Sequence, residues 1–242
     1  HRLKDLEIDT MTVAAYGIRG NNPATKHSFI VTEALPTETS LEDFCGEWKE
    51  NPPRTLKQVR LKRWILNKVV ETARVIHENG ANHRDFYLCH FLLDAHFEAD
   101  DQVSPESKLY LIDLHRLQMR RKTPERWAVK DIAGLYYSSK DIGLTKRDLL
   151  RFMKLYRDKP LREILRTETS FWRKVQSRGN KLYESEKRKA LVLEKLQHQH
   201  SQQPEIIEGD FSETGVTTTK HSEIKARIDD ENSTEPRHVA GK

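Results

Sequence analysis

Residues 81–93 read ANHRDFYLCHFLL, and they decide how the rest of the chain is interpreted. His83, Arg84 and Asp85 precede an apolar run, and His90 follows the aspartate by five positions. An aspartate on a loop between a helix and a strand is typical of phosphotransferases, where the carboxylate holds the acceptor hydroxyl. A His-Arg-Asp tripeptide alone is weak evidence, because polar residues often flank an apolar strand. The elements on either side must therefore decide whether this stretch is a catalytic loop or only a polar segment beside an apolar strand.

The residues before this stretch predict a long helix over 56–79. Its apolar residues recur at helical spacing, and Gly80 is a residue that commonly follows a helix end. Those apolar positions are Leu61, Ile65, Leu66, Val69, Val70, Ala73 and Ile76. The residues after it predict a β-hairpin, with one strand at 91–93, a polar loop, and a returning strand within 108–114. The hairpin would bring Asp113 back beside His90.

This arrangement meets the main needs of phosphoryl transfer, which are a carboxylate at the acceptor hydroxyl and a divalent metal on the phosphates. We predict that Asp85 faces the acceptor as catalytic base, and that Asp113 and His90 share one Mg²⁺. Mg²⁺ prefers oxygen ligands, so an imidazole is unusual there. His90 could contact the metal, a metal-bound water or a phosphate oxygen.

Elsewhere the chain predicts a mixture of strands and helices. Strands are predicted at 11–16 and 28–35, around a Gly/Asn/Pro-rich turn, and a short helix begins at Ser40, which has Asp43 as its capping partner. Thr123 and Pro124 predict an N-cap followed by the first helical residue, and helical patterns follow at 127–138, 145–156 and 161–175. We predict an extra helix at 180–199 and a disordered tail at 200–242, which is rich in Ser, Thr, Glu and Gln.

Composition limits the class of protein. The chain has 242 residues, a formal net charge of +5 and two cysteines, which favours an anionic partner and a reducing compartment over a disulfide scaffold. The apolar runs are too short to cross a membrane, and no signal peptide is recognisable. The chain begins at His1 with residues that look like a helix end, so we expect it to be a fragment.

The motifs together closely resemble the lipopolysaccharide core heptose(I) kinases of Gram-negative bacteria. The resemblance covers roughly residues 1–175 and rests on NHRDFYLCHFLL, LIDLHRLQMRRK, RWAVKDIAGLYYSS, DIGLTKRDLLRF and the upstream AAYGIRGNNPATKHSFIVTEALPTETSLEDFC. It implies an α+β, protein-kinase-like fold that is mainly the helical C-lobe. Residues 1–36 would be a partial N-lobe sheet and hinge, and 37–179 the C-lobe with the catalytic loop. The implied reaction is transfer of the γ-phosphate of ATP, with Mg²⁺, to a heptose of the inner core.

The resemblance also assigns individual residues. Asp85 matches the catalytic-loop aspartate, His90 stands where protein kinases have the metal-binding asparagine, and Asp113 matches the aspartate of the DFG motif, with Leu114 and His115 after it. Asp131 resembles the helix aspartate that supports the loop, and His83 and Arg84 would brace it. Glu33 and Leu35 fall at the hinge that holds adenine.

One part of the family pattern is missing. The glycine-rich loop, the phosphate-binding lysine and its glutamate partner should lie before His1. We therefore expect the full gene product to be a kinase and the fragment itself to be inactive or nearly so.

Other interpretations remain open. The histidines at 77, 83, 90, 96 and 115 lack zinc-ligand spacing, and His77 is predicted on the helix surface. Arg116, Arg120 and Arg121 predict an anion-binding segment for the acceptor or the inner-membrane surface, and nucleic acid is not expected, because no aromatic platform accompanies them. The alternatives to a heptose kinase are a kinase for another core sugar, or a non-catalytic kinase-like scaffold that binds core lipid or a protein. The partners expected are the lipid A–core acceptor, the cytoplasmic face of the inner membrane and an acidic carrier protein.

Overall fold

The computed structural model of the chain describes residues 1–22 and 25–201. Most of them belong to one compact unit, His1–Glu194, and the second unit, Lys195–Lys242, is described only as far as Ser201. Apart from its first two residues, the predicted tail at 200–242 lies outside the described residues. None of the described helices is long and apolar enough to cross a membrane.

The described residues form short sheets followed by helices. Helix α1 (Arg2–Asp5) leads into an antiparallel pair, β1 (Val13–Arg19) and β2 (His27–Thr32). The remaining elements are α2 (Leu41–Cys45), α3 (Leu56–Glu78), β3 (Ala81–Asn82), β4 (Phe91–Asp94), β5 (Lys108–Leu111), β6 (Gln118–Met119), α4 (Glu125–Ser138), α5 (Lys146–Arg157), α6 (Leu161–Thr167) and α7 (Thr169–Ser201). The predicted α+β class, with a helical C-lobe and a partial N-lobe sheet, is therefore confirmed.

Helix α3 and the β4–β5 hairpin set the position of the 81–93 stretch. Thr55 and Gln58 form a reciprocal capping box at the start of α3, which satisfies amides that a helix start leaves without partners. The helix ends before Gly80, whose φ of +77° turns the chain sharply, and a Cβ there would lie 1.9 Å from the Arg120 carbonyl oxygen. The predicted hairpin is confirmed, with Phe91 opposite Leu111.

The hairpin is tied to the N-terminal part of the chain by two hydrogen bonds at one residue. The Leu111 amide donates to the Asp9 carbonyl at 2.8 Å, and the Thr10 hydroxyl donates to the Leu111 carbonyl at 2.6 Å. Leu111 also belongs to one hydrophobic core of fully or almost fully buried side chains. Its members include Leu41, Ile76, Phe86, Phe91, Leu111 and Ala133. The core therefore runs from α2 and α3 through the hairpin to α4 and fixes the loop between them.

Three details of the sequence interpretation are wrong. Pro124 is the N-cap of α4, while the Thr123 hydroxyl donates to the Ala81 carbonyl at 2.9 Å instead of capping the helix. The pattern at 161–175 is two helices, because Glu168 adopts a non-helical conformation between α6 and α7. Finally, α7 continues through residue 180 without a break, so the helix expected at 180–199 is its second half.

Candidate active site

The loop that carries His83 and Arg84 is held by one carboxylate of α4. Asp131 is fully buried, and it accepts the His83 amide at 2.7 Å and the Arg84 amide at 2.9 Å, one on each oxygen. Arg84 has a φ of +79°, a conformation that is rare for residues other than glycine. The two hydrogen bonds place the strained turn, and with it the residue that follows, Asp85.

His77 and Tyr156 extend the hydrogen-bond network beyond Asp131. His77 Nε2 lies 3.2 Å from the Asp131 carboxylate, and His77 Nδ1 lies 2.7 Å from the Tyr156 hydroxyl. Because an ionised carboxylate only accepts, a neutral His77 donates through Nε2 and accepts the Tyr156 proton at Nδ1. The prediction that His77 lies on the helix surface is wrong, since its side chain is buried. The signal was available, because His77 follows Ala73 by four residues and so continues the apolar stripe.

Asp85 reaches the surface beside a cation. Its side chain is 15% exposed, and its Oδ1 accepts from Arg116 Nη1 at 3.0 Å. Its backbone carbonyl accepts from His90 Nδ1 at 2.6 Å. The loop therefore presents a partly open carboxylate, and its main chain fixes the orientation of the His90 ring.

His90 and Asp113 meet at the end of the hairpin. The Ile112 amide donates to the His90 carbonyl at 3.0 Å, and His90 Nε2 lies 3.4 Å from Asp113 Oδ2. Asp113 has a φ of +57°, and its other oxygen is hydrogen-bonded to His115. His83 supports this end as well, because its Nε2 lies 3.0 Å from the Ile112 carbonyl oxygen. Burial lowers the pKa of the His83 imidazole, which favours the neutral ring as donor.

His90 and Asp113 fit a divalent metal, but they would supply only two of its ligands. Nδ1 of His90 must donate to the Asp85 carbonyl, so a neutral ring turns the lone pair of Nε2 toward the Asp113 carboxylate. A cation between the two would be bound by both. Within the described residues, no three His, Cys, Asp or Glu side chains gather at a metal site. Phosphates and water would therefore have to supply the remaining ligands, as Mg²⁺ commonly requires.

The three arginines predicted to bind anions lie in different environments. Arg116 is bonded to Asp85, and Arg121 is exposed. Arg120 turns inward and donates to the side chains of Asn82 and Gln118. This difference follows from the β3–β6 pairing, which places Gln118 beside Asn82 and draws Arg120 to both.

The predicted hinge residues lie at the rim of a cavity of about 510 Å³. Glu33 donates its amide to the Thr12 carbonyl at 2.9 Å, and its side chain is exposed. Leu35 lines the same cavity, together with Lys108 and Tyr110 of β5. The segment after β2 and the hairpin therefore face one common space.

Sequence reasoning missed two further features. A mainly apolar cavity of about 490 Å³ lies among α2, α3, α4, α5 and α7, lined by residues such as Leu41, Leu66, Leu135 and Trp172. Trp127 of α4 has several cationic side chains around its ring, among them Lys130. Trp127 and Lys130 are three residues apart and so share a face of α4, but the approach of Arg84 and Arg120 to the same ring depends on contacts between residues far apart in the sequence.

Comparison with known proteins shows the family to which the chain belongs. The lipopolysaccharide kinase (Kdo/WaaP) family profile matches residues 1–156. The chain belongs to this family. It is 46% identical to the lipopolysaccharide core heptose(I) kinase WaaP of Escherichia coli over 191 residues, which is 79% of this chain and 69% of that one. It is 48% identical to the enzyme of the same name in Pseudomonas aeruginosa over 188 residues, or 77% of this chain and 67% of that one.

A solved structure gives the same result at the level of the fold. The structure described as WaaP in complex with acyl carrier protein has 47% sequence identity and a TM-score of 0.65, and the match covers 75% of this chain and 73% of that chain. The resemblance drawn from the motifs is therefore confirmed. As a member of the lipopolysaccharide kinase (Kdo/WaaP) family, the chain is a lipopolysaccharide kinase, and kinases of this kind use ATP and usually a divalent metal.

Proposed function

We propose that the protein transfers the γ-phosphate of ATP to a heptose hydroxyl of the lipopolysaccharide inner core, with Asp85 as the catalytic base. The observation that carries the proposal is the juxtaposition of three groups. Asp85 is partly open, Asp113 and His90 face each other at 3.4 Å, and the Asp85 carbonyl binds the His90 ring at 2.6 Å. The heptose assignment rests on the named activity of the E. coli and P. aeruginosa relatives.

The chain's own residues divide the work. Asp85 would accept the hydrogen bond of the acceptor hydroxyl and then its proton, after Arg116 has moved from the carboxylate it now holds at 3.0 Å. Asp113 and His90 would hold the metal, which offsets charge on the phosphates when it is bound. Asp131, His83 and Arg84 would keep the loop in place, and Glu33 and Leu35 would line the nucleotide hinge. Arg116 and Arg121 would attract the anionic acceptor.

An acidic carrier protein is the second partner that we propose. The solved neighbour is a complex with acyl carrier protein, and this chain has a formal net charge of +5. The apolar cavity of about 490 Å³ has the chemistry for an apolar chain on such a carrier. A pull-down with purified acyl carrier protein, with and without an acyl group, tests this partnership, and equal recovery of the two forms would contradict a role for the cavity. We also propose that the enzyme works at the cytoplasmic face of the inner membrane, where its formal net charge of +5 would favour an anionic lipid surface.

The test is transfer of labelled γ-phosphate to lipopolysaccharide that lacks core phosphate. It compares the 242-residue chain with the chain extended upstream in its coding sequence, and we expect the extended form to carry the activity. Asp85→Asn in the extended form should lower kcat by roughly 10²–10⁴-fold, the range of a general base. Asp101→Asn, an exposed aspartate of the hairpin loop paired with Lys57, is the matched control.

Two outcomes would contradict the proposal. Label in another core sugar, shown by fragment analysis of the product, would replace the heptose with that sugar. No label from the folded, extended protein with Mg²⁺ present would favour the non-catalytic scaffold.

A further inference from the structure

Four cations surround one indole ring next to the candidate catalytic loop. The charged groups of Arg84, Arg126 and Lys130 lie 5.4, 5.6 and 5.8 Å from the centre of the Trp127 ring. Arg120 lies 5.7 Å away, although its guanidinium is also bonded to Asn82 and Gln118. A ring face partly offsets the cost of placing cations together, but each contact is worth only about 1 kcal/mol at exposed sites.

Three of these cations and Arg178, a nearby cation of α7, have no acidic side chain in direct contact. Within the described residues, no carboxylate oxygen lies within 4.0 Å of Arg84, Arg126, Lys130 or Arg178. Lys130 nevertheless interacts electrostatically with Arg84, Arg116 and Arg178 as well as with Asp85. Arg178 of α7 acts on Tyr87 in the loop as well, and its neighbour Gly179 packs on α4, where a Cβ would lie 3.1 Å from the Ala133 carbonyl oxygen. Helix α7 therefore brings a further cation close to Lys130.

This arrangement is unfavourable without an anion. Burial lowers the pKa of the Lys130 ammonium, the nearby Asp85 charge raises it, and the charges of Arg116, Arg84 and Arg178 each lower it by less. Structural cations are usually paired or left in open solvent, and Lys130 is neither, since it is half-buried. Guanidinium and ammonium groups that converge in this way match the oxygens of a phosphate or carboxylate.

We propose that Lys130, Arg178 and Arg84 form a binding site for an anionic group, a phosphate or a carboxylate, that the acceptor carries near its reacting hydroxyl. The site lies beside Asp85, which is where an acceptor must be held, and it rests on the proposed function for the identity of the acceptor. It differs from the segment expected from the sequence, since Lys130 and Arg178 come from α4 and α7. Binding there would hold the sugar hydroxyl against the base and select anionic core lipids over neutral sugars.

The first test separates acceptor binding from nucleotide binding. Lys130→Gln and Arg178→Gln in the extended kinase should each raise KM for lipopolysaccharide about tenfold, the loss of one charge-assisted hydrogen bond. KM for ATP should differ by less than about twofold from the wild-type value, since neither substitution removes a group beside Asp113, the proposed ligand of the metal on the nucleotide. Lys130→Arg should restore most of the affinity. Arg151→Gln, which removes an exposed cation of α5, controls for net charge and should change neither constant.

The second test needs no catalysis. Flotation with neutral phosphatidylcholine vesicles measures binding of the acceptor before and after its phosphates are removed or its carboxylates amidated. The wild type should bind the acceptor more weakly after one of these two treatments, either removal of the phosphates or amidation of the carboxylates. The Lys130→Gln variant should bind the treated and untreated acceptors equally. Binding without transfer would refute the kinase proposal and leave the site standing, whereas transfer with unchanged KM in both Gln variants would overturn the site. A loss that follows the charge of added anionic phospholipid, and not that of the acceptor, would also overturn it.

Discussion

Asp131 is the residue on which the candidate active site depends most. A fully buried carboxylate is costly unless its oxygens are satisfied, and Asp131 meets two loop amides and the His77 ring. The network continues from His77 to the Tyr156 hydroxyl, whose pKa burial raises strongly. A chain of hydrogen bonds thus runs from the interior of the helical part to the turn before Asp85.

Asparagine at position 131 should damage both stability and catalysis. An amide offers one oxygen where three donors converge, and its NH₂ group would face another donor. We expect Asp131→Asn to lower the free energy of unfolding by roughly 1–3 kcal/mol, the cost of an unsatisfied buried donor, and to lower kcat more than it raises KM for ATP. Urea unfolding and steady-state kinetics of the extended kinase measure the two effects.

Tyr156→Phe is the companion variant, because it removes one hydroxyl and leaves the loop amides bonded. It should cost stability by a similar amount and change kcat little. Equal kcat losses in the two variants would mean that the effect comes from destabilisation and not from the position of the loop.

At the scale of elements, α4 touches the loop through a glycine. A Cβ at Gly134 would lie 2.8 Å from the Phe86 carbonyl oxygen and 3.1 Å from the Tyr87 ring, closer than such atoms pack. The absence of a side chain lets the helix that carries Asp131 approach the backbone that carries Asp85. The distance between these elements is thus set at Gly134.

Alanine at position 134 should therefore separate the two elements. We expect Gly134→Ala to destabilise the protein by roughly 1–3 kcal/mol, as overpacking does, and to lower kcat. Gly46→Ala is the matched control, since a Cβ at Gly46 would meet nothing within 4 Å, and it should be neutral or slightly stabilising. Thermal unfolding and kcat of both variants measure these effects. Equal stabilities of the two variants would show that α4 can shift away from the loop at little cost.

The same elements show how far the sequence alone could lead. Helix α3 and the hairpin were predictable, because periodicity and capping residues act locally, and so was the return of Asp113 to a position beside His90. The burial of His77 was indicated by its spacing but was outweighed by its polarity. The inward turn of Arg120 and the closeness of Gly134 to Phe86 depend on contacts between residues at least 38 positions apart, for which the sequence carries no local signal.

At the scale of the whole molecule, α7 belongs to the compact unit well beyond residue 180. Gly179 packs against α4, where a Cβ would lie 2.6 Å from the Tyr136 ring, and the Tyr183 hydroxyl donates to Asp141 at 2.8 Å. The Tyr183 ring also contacts Tyr137 and lies under the Lys140 ammonium at 4.7 Å. The change of composition near residue 180 therefore reflects an exposed helix face and not the end of the compact unit.

Two shortened chains should consequently behave differently. A chain that ends at residue 194, the end of the compact unit, should unfold like the full chain. A chain that ends at residue 179 loses the Tyr183 contacts with Tyr137, Lys140 and Asp141, which we expect to cost about 1–2 kcal/mol. Each kcal/mol lowers Tm by roughly 2–4 °C in a protein of this size. Tyr183→Phe in the full chain isolates the hydroxyl and should account for only part of the loss. Equal melting temperatures for the two shortened chains would place the end of the compact unit before residue 180, and α7 beyond Gly179 would then contribute nothing to stability.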